Sequence, residues 1–327
     1  MNTMDIRKYL NRQIYFIAAV FFILGYMLRF IQLTQVGTVS DINSLKIRPV
    51  APCDPELPRP GPKIACVLTY TKPQFFICPY EREEDIHVSR WLRREGIWDG
   101  MRTGYLKSTL ENYPESTLID IGAHIGYFTV LAATVGNSVV AVEPYDRSVT
   151  LIRRSVALND LNSKVRIISK AISANRTTMY LSQGDSNDIG SIRAIPVKEA
   201  NQIDNSESGV EAITIDDLIP FIKSKEVIMK ISIEGHECAA MQSAIKIFEE
   251  KIVRYIFIEW HVIRDTVYGI NPDCPTDKAR ELVSRLHSLG YTPYEYLPRI
   301  KELAIDRVTQ WSASGVLFQH FNSVKIL

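Results

Sequence analysis

From residue 118 onward, short apolar runs alternate with longer stretches of helical period. Residues 118–121, 139–142 and 165–168 are brief, mostly apolar and bounded by turn residues, as expected of strands buried on both faces. Residues 127–135 and 147–159 between them read as helices. Such alternation predicts a parallel sheet with right-handed crossovers. Strands at 178–181 and 212–214 flank a polar stretch, 183–211, rich in Ser, Asn, Asp and Gly, which reads as an inserted loop. Thr214 is placed to cap a helix over 216–223. A strand at 227–233 leads through Glu234-Gly235 into a helix reaching about residue 250, then a strand at 253–259. Residues 276–289 form an amphipathic helix stopped by Gly290. Strands at 292–296 and 314–320 close the pattern as a hairpin. Ahead of this body, 66–70 and 74–78 read as short strands around Lys72-Pro73, with helices starting near Asp85 and over 103–113.

The first fifth of the chain differs. A basic flank carrying Arg7, Lys8 and Arg12 precedes an apolar run from Ile14 to Leu28, which Phe30, Ile31 and Leu33 extend if Arg29 snorkels. Residues 13–33 would span about 30 Å as a helix, enough to cross a bilayer. A cleaved signal peptide shares the basic-then-apolar order, but no small-x-small site directly follows Leu28. A buried helix of a soluble protein is the third reading. The anchor fits best, and the basic amino-side flank favours a cytoplasmic N-terminus with a lumenal body. Residues 34–62 hold six prolines from Pro49 to Pro62 and read as a semi-rigid stem.

Candidate chemistry concentrates where the first long strand ends. Asp120-Ile-Gly122-Ala-His124-Ile-Gly126 is a strand end, a glycine turn and a helix start, letting backbone N–H groups approach a ligand. The next strand ends in Glu143-Pro144, roughly 20 residues on, a spacing that suits a carboxylate accepting from ribose hydroxyls. A nucleotide-type cofactor site follows, with the base near residues 169–172. The DxGxxxG spacing argues against a Rossmann oxidoreductase, which would carry GxGxxG.

Net charge is +1, so nothing predicts a nucleic-acid partner. The five cysteines show no metal-ligand spacing, and no metal is expected. Cys53, Cys66 and Cys78 lie close enough in sequence to pair in an oxidising compartment; unpaired thiols are the alternative. Asn175-Arg-Thr177 is an N-glycosylation acceptor if the body is lumenal.

The glycine stretch, Glu143-Pro144, Thr214-Ile-Asp-Asp-Leu218 and Met229-Lys-Ile-Ser-Ile-Glu-Gly235 together resemble the FkbM family of S-adenosylmethionine-dependent O-methyltransferases, over about residues 85–261. The resemblance implies a Rossmann-like class I methyltransferase: a seven-stranded, mostly parallel α/β sheet with helices on both faces and an antiparallel final strand pair. The organisation is then a cytoplasmic tail (1–12), a transmembrane signal anchor (13–33), a stem (34–62), a substrate-side capping region (63–116) and the methyltransferase domain (117–327).

S-adenosylmethionine is the implied cofactor, with Asp120 toward its ammonium group, Gly122 and Gly126 against its methionine part, His124 in the loop and Glu143 on the ribose. On the acceptor side, Glu234, His236 and His261 are the candidate catalytic residues, since an alcohol acceptor must lose a proton and histidine titrates near neutrality. The histidines have a competing reading as surface or helix-cap residues, and Glu259 as a buried partner of Lys230 or Arg254. His124 competes as a helix-start packing residue. Trp91, Trp98 and Trp260 are candidates for an apolar wall or for core. The chain departs from the family pattern at His124, where Asn is typical, and at Ser232, where Asp is typical. The expected protein is a type II, Golgi or endoplasmic-reticulum enzyme methylating a hydroxyl, with a glycan as acceptor class; the alternative is a non-catalytic relative serving as a binding or scaffold protein.

Overall fold

The computed structural model describes residues 65–182, 188–196, 209–267, 274–296 and 300–324. The tail, anchor and stem, Cys53 and most of the polar stretch before residue 209 lie outside the described residues. Among those described, no helix is long and apolar enough to cross a membrane.

The core is an eight-stranded sheet. Its parallel part comprises β3 (Thr117–Ile121), β4 (Ser138–Val142), β5 (Val165–Ile168), β10 (Glu226–Ile231) and β11 (Ile252–Glu259); the far end holds β12 (Tyr291–Glu295), β13 (Lys301–Glu302) and β14 (Gly315–His320), in the order β13-β12-β14-β11-β10-β3-β4-β5. β14 runs antiparallel between β11 and β12. The expected seven strands are present, and the two-residue β13 extends the edge as an eighth. A smaller sheet, ordered β6-β9-β7-β8, is built from β6 (Ala171–Ile172), β7 (Thr177–Leu181), β8 (Ala194–Pro196) and β9 (Gly209–Ile213). Among the described residues, the polar stretch contributes β8 and a 3-10 turn at Ile189–Ser191.

Strand burial explains the pattern of apolar runs. All of β3 is buried, with Ile119 and Ile121 packing into one layer and Leu118 into the other. Helices cover both faces: α1 (Val88–Glu95), α2 (Gly100–Asn112), α3 (Tyr127–Val135), α4 (Asp146–Leu158), α5 (Glu237–Gln242), α6 (Lys246–Glu250), α7 (Trp260–Val267) and α8 (Thr276–Ser288). Ahead of β3, β1 (Val67–Leu68) and β2 (Phe76–Ile77) pair antiparallel, and this segment is docked on the sheet's helices. Cys78 N–H donates to Ser155 Oγ of α4 at 2.9 Å, and Cys66 is joined to Cys78 by a disulfide.

Two expected helices come out differently. Residues 216–221 form a 3-10 turn containing Pro220, capped reciprocally: Asp217 N–H donates to Thr214 Oγ1 and Thr214 N–H to Asp217 Oδ2. The helix expected after Gly235 is broken into α5 and α6. Asp216 explains the restart, because its carboxylate accepts from the N–H groups of Ile245, Lys246 and Ile247 at 3.0–3.3 Å. Those are the orphan donors of a helix start. Asp216→Ala is expected to lower unfolding free energy by about 1–2 kcal/mol, read as a shift of the urea midpoint with unchanged slope.

Candidate active site

β3 and β10 are neighbours, with β4 and β5 on one side and β11 on the other. This is the switch point where α/β sheets open a crevice at the carboxyl ends of their strands. A cleft of about 440 Å³ opens there. It is lined by the turns after β3, β4, β10 and β11, by residues 170–172, and by a roof from Asp188 to Ala194.

Gly122 has φ of +75°, and a Cβ there would lie 1.8 Å from the Ser232 carbonyl oxygen. Glycine is thus required by the approach of the β10 backbone. Gly126, at φ +83°, is held by α4, where a Cβ would meet Ile152 at 2.9 Å. Asp120 and Gly126 do not line the cleft. The Asp120 carboxylate is fully buried, accepting from Thr129 Oγ1 at 2.7 Å and facing Lys230 Nζ at 3.2 Å. It holds the loop from beneath the cleft floor. Lys230 also donates to the Gly122 carbonyl at 2.8 Å.

Gly122, His124 and Glu143 do line the cleft. Glu143 accepts from His124 N–H at 2.8 Å and Tyr145 N–H at 3.0 Å, one on each oxygen. A carboxylate has further lone pairs for diol hydroxyls. Burial pushes its pKa up to about 7 despite those two bonds. His124 occupies the left-handed region at φ +52°, and burial pushes its imidazole below the usual value.

At the β10 and β11 ends, Glu234, His236 and His261 also line the cleft, so the two halves of the expected site meet in one cavity. Glu234 sits at φ +54°; burial, with Glu259, Glu237 and Asp188 nearby, raises its pKa to about 8. His236 is buried at the start of α5. His261 lies in the first turn of α7, its backbone N–H donating to the Ser314 carbonyl at 3.1 Å, and its Nδ1 is 3.6 Å from Glu259 Oε1.

Glu259 pairs with neither Lys230 nor Arg254. Arg102 of α2 donates to its Oε1 at 2.9 Å, and Ser232 Oγ donates to its Oε2. Burial works to raise Glu259, but Arg102, His261 and the Ser232 hydroxyl overcome it and hold the group at about 2. Arg254 instead meets Glu226. Of the tryptophans, Trp98 lines the cleft, Trp260 packs in the core against Trp311, and Trp91 is exposed beneath Arg94.

The segment 66–113 and the polar stretch 183–211 were expected to shape the acceptor pocket, but neither Arg102 nor the roof residues 188–194 carry a local signal that singles them out. Arg102 follows the cap residue Asp99 by three, a local spacing that marks a helix start and says nothing of a partner more than 150 residues away. Among the described residues no cluster could hold a metal ion.

The carboxyls give a pH signature. Glu143, Glu234 and the buried Glu237 titrate at about 7, 8 and 7, against 4.5 when unperturbed. Their folded values are raised, so their stabilising contribution is full below the unfolded value and is lost as pH rises through 7–8. Glu259, held low, loses its contribution as pH falls from about 4.5 through about 2, outside that window. The cofactor-free protein should therefore resist urea better at about pH 5.5 than at about pH 8.5, by about 1–3 kcal/mol per group. Glu143→Gln and Glu234→Gln should each flatten the slope; an unchanged slope in both would contradict these assignments.

A family model described as a methyltransferase FkbM domain matches residues 120–293. No curated protein matches the chain. Among solved structures, the chain is similar to a methyltransferase FkbM from Methylobacillus flagellatus KT, with 17% identity and a TM-score of 0.35 over 63% of this chain and 44% of that one, less than half of that structure's length. It is similar to an O-methyltransferase from Bacillus cereus in complex with S-adenosylhomocysteine, with 11% identity and a TM-score of 0.39 over 68% and 81% of the two chains. A SAM-dependent O-methyltransferase from Thermotoga maritima gives 13% identity and a TM-score of 0.35 over 78% and 75%.

Proposed function

The chain belongs to the methyltransferase FkbM domain family, and from that premise we propose that it moves a methyl group from S-adenosylmethionine to a hydroxyl, with a glycan as the acceptor class. The observation that carries the reading is the pairing of His261 with an ionised Glu259 in the same cleft as Glu143. Glu143 and Glu259 end strands three places apart in the sheet, about 14 Å at ordinary strand spacing. The cleft volume lies in the range of small-molecule sites, about 300–1,000 Å³.

The residues present fit the cofactor. Glu143 has acceptor capacity left for ribose hydroxyls and gains from their donation, because it is buried without a charged partner in contact. Residues 170–172 and the roof from Asp188 to Ala194, which line the cleft, would hold the base, and the Gly122-Ala-His124 backbone would hold the amino-acid part. When bound, the cofactor would supply an electrophilic sulfonium methyl, with the thioether as leaving group, to the acceptor oxygen.

The chain's own residues handle the acceptor proton. Glu259, ionised and fixed by Arg102 and Ser232, faces His261 Nδ1 and favours the proton there, leaving Nε2 as the base. The acceptor's proton passes to Nε2. Glu234, at the β10 end of the cleft, orients the acceptor hydroxyl by hydrogen bonding. Trp98 and the polar groups around it suit a sugar ring with its hydroxyls. The scaffold alternative drew on Ser232 in place of an acid. Glu259, one strand over and bonded to Ser232, supplies a carboxylate at that place and favours the enzyme.

We place the body in the lumen of the secretory pathway behind a signal anchor at residues 13–33. Support comes from the Cys66–Cys78 disulfide, which suits an oxidising compartment, and from the sequon residue Asn175, exposed on the turn between β6 and β7. A mobility shift on glycosidase treatment, lost in Asn175→Gln, tests it.

Turnover is tested by transfer of labelled methyl from S-adenosylmethionine to a panel of neutral glycans, with calorimetry for binding. Glu143→Ala should weaken cofactor binding roughly 10- to 100-fold, as for a lost charged hydrogen-bond partner. His261→Ala should lower kcat by about 10²–10⁴-fold while S-adenosylhomocysteine affinity stays within about twofold. Wild-type protein that fails to bind the cofactor would sink the proposal, and an unchanged rate in His261→Ala would sink the base assignment.

A further inference from the structure

Asp85 lies ahead of the matched family domain, yet its carboxylate is fully buried beside the cofactor loop. Its Oδ1 accepts from Val88 N–H at 3.0 Å, and its Oδ2 from Ser89 N–H at 2.9 Å and Ser89 Oγ at 2.6 Å, which caps α1. The same Oδ2 faces His124 Nε2 at 3.7 Å. That nitrogen is buried and makes no hydrogen bond among the described residues. Tyr80, from the same segment, lays its ring 5.8 Å from the imidazole and fixes its own hydroxyl on Ser148 of α4 at 2.8 Å.

The roof is tied to this segment as well. Ile189 N–H donates to the Glu84 carbonyl at 2.9 Å, Asp188 pairs with Asp85 as an isolated β-bridge, and Gly190 passes over His124 Cε1. His124 is thus enclosed by two segments distant in sequence. Its backbone needs that enclosure, because a non-glycine residue at φ +52° is held only where its surroundings over-determine it. Its N–H is one of the two donors that aim Glu143.

We propose that Asp85 is a positioning residue for the cofactor: through His124 it holds the loop whose backbone orients Glu143. A neutral imidazole with its proton on Nε2, toward Asp85, keeps one ring orientation and leaves Nδ1 a lone-pair acceptor. Removing the carboxylate frees the ring, relaxes residue 124 and loosens the His124–Glu143 bond. The inference rests on the reading of Glu143 as a cofactor residue.

The test is calorimetric titration of the full chain in detergent with S-adenosylhomocysteine. Asp85→Asn should weaken binding roughly tenfold, and Ser89→Ala, which trims the same cap without touching His124, should leave it within about twofold. His124→Asn replaces the ring with a side chain that tolerates positive φ and removes the contact with Asp85. In that background Asp85→Asn should have no further effect on affinity. An equal loss from Asp85→Asn in both backgrounds, or a loss in Ser89→Ala matching that in Asp85→Asn, would make the role purely structural and overturn the proposal. Wild-type protein that does not bind the probe at all would be a failure of the cofactor reading instead.

Discussion

The site depends on how closely β3 and β10 meet at their carboxyl ends. Asp120 and Lys230 are register partners across the two strands. Their side chains form an ion pair in the interior, with Thr129 on the carboxylate and the Gly122 carbonyl on the ammonium. A buried pair gains little over an apolar pair of the same shape, but removing one member strands the other, at about 3–5 kcal/mol. One step further, Gly122 leaves room for the Ser232 carbonyl where any side chain would collide. The two strand ends are locked together by charge and by the absence of a Cβ, and both halves of the cleft are built outward from that lock.

The consequence is visible in what each strand end presents. On the β3–β4 side, the locked loop turns the His124 N–H onto Glu143. On the β10–β11 side, Ser232 reaches Glu259, and the chain turns sharply through Glu234 and Gly235, both at positive φ. The acid typical of the family at position 232 is missing, yet the place is not without charge. Glu259 occupies it from the neighbouring strand, and Arg102 neutralises Glu259 from a helix outside the matched domain.

The sheet was legible because β3 and β4 are largely buried on both faces and the edge strand β5 keeps three apolar residues of four, so all three read directly as apolar runs within a residue or so of their ends. The glycines were legible as turn residues, but their cause was not. Gly122 and Gly126 answer to Ser232 and Ile152, contacts that exist only once distant segments pack. The part Asp120 plays in the loop was not legible for the same reason: a carboxylate at a strand end looks free until Lys230, 110 residues later, stands beside it. The breaks between α5 and α6 and inside the polar stretch escaped notice because Asp216 and the roof residues act across tertiary distances, and local periodicity carries no trace of them.

The charges in the cleft have one further physical consequence. Glu143 and Glu234 hold their protons to about 7 and 8, largely because burial leaves them without enough positive charge nearby. A ligand bearing an ammonium and a sulfonium brings that charge and favours the ionised carboxyls. Transfer of the methyl group removes the sulfonium charge, and the same carboxyls are again under-compensated. In a low-dielectric cleft a change of one unit charge at a few ångströms is large on the scale of binding energies. The electrostatics therefore favour the charged cofactor over its neutral product. Lys230, which would otherwise repel a cation, is kept from doing so by Asp120. The pair that locks the two strands together also keeps the cleft receptive to positive charge.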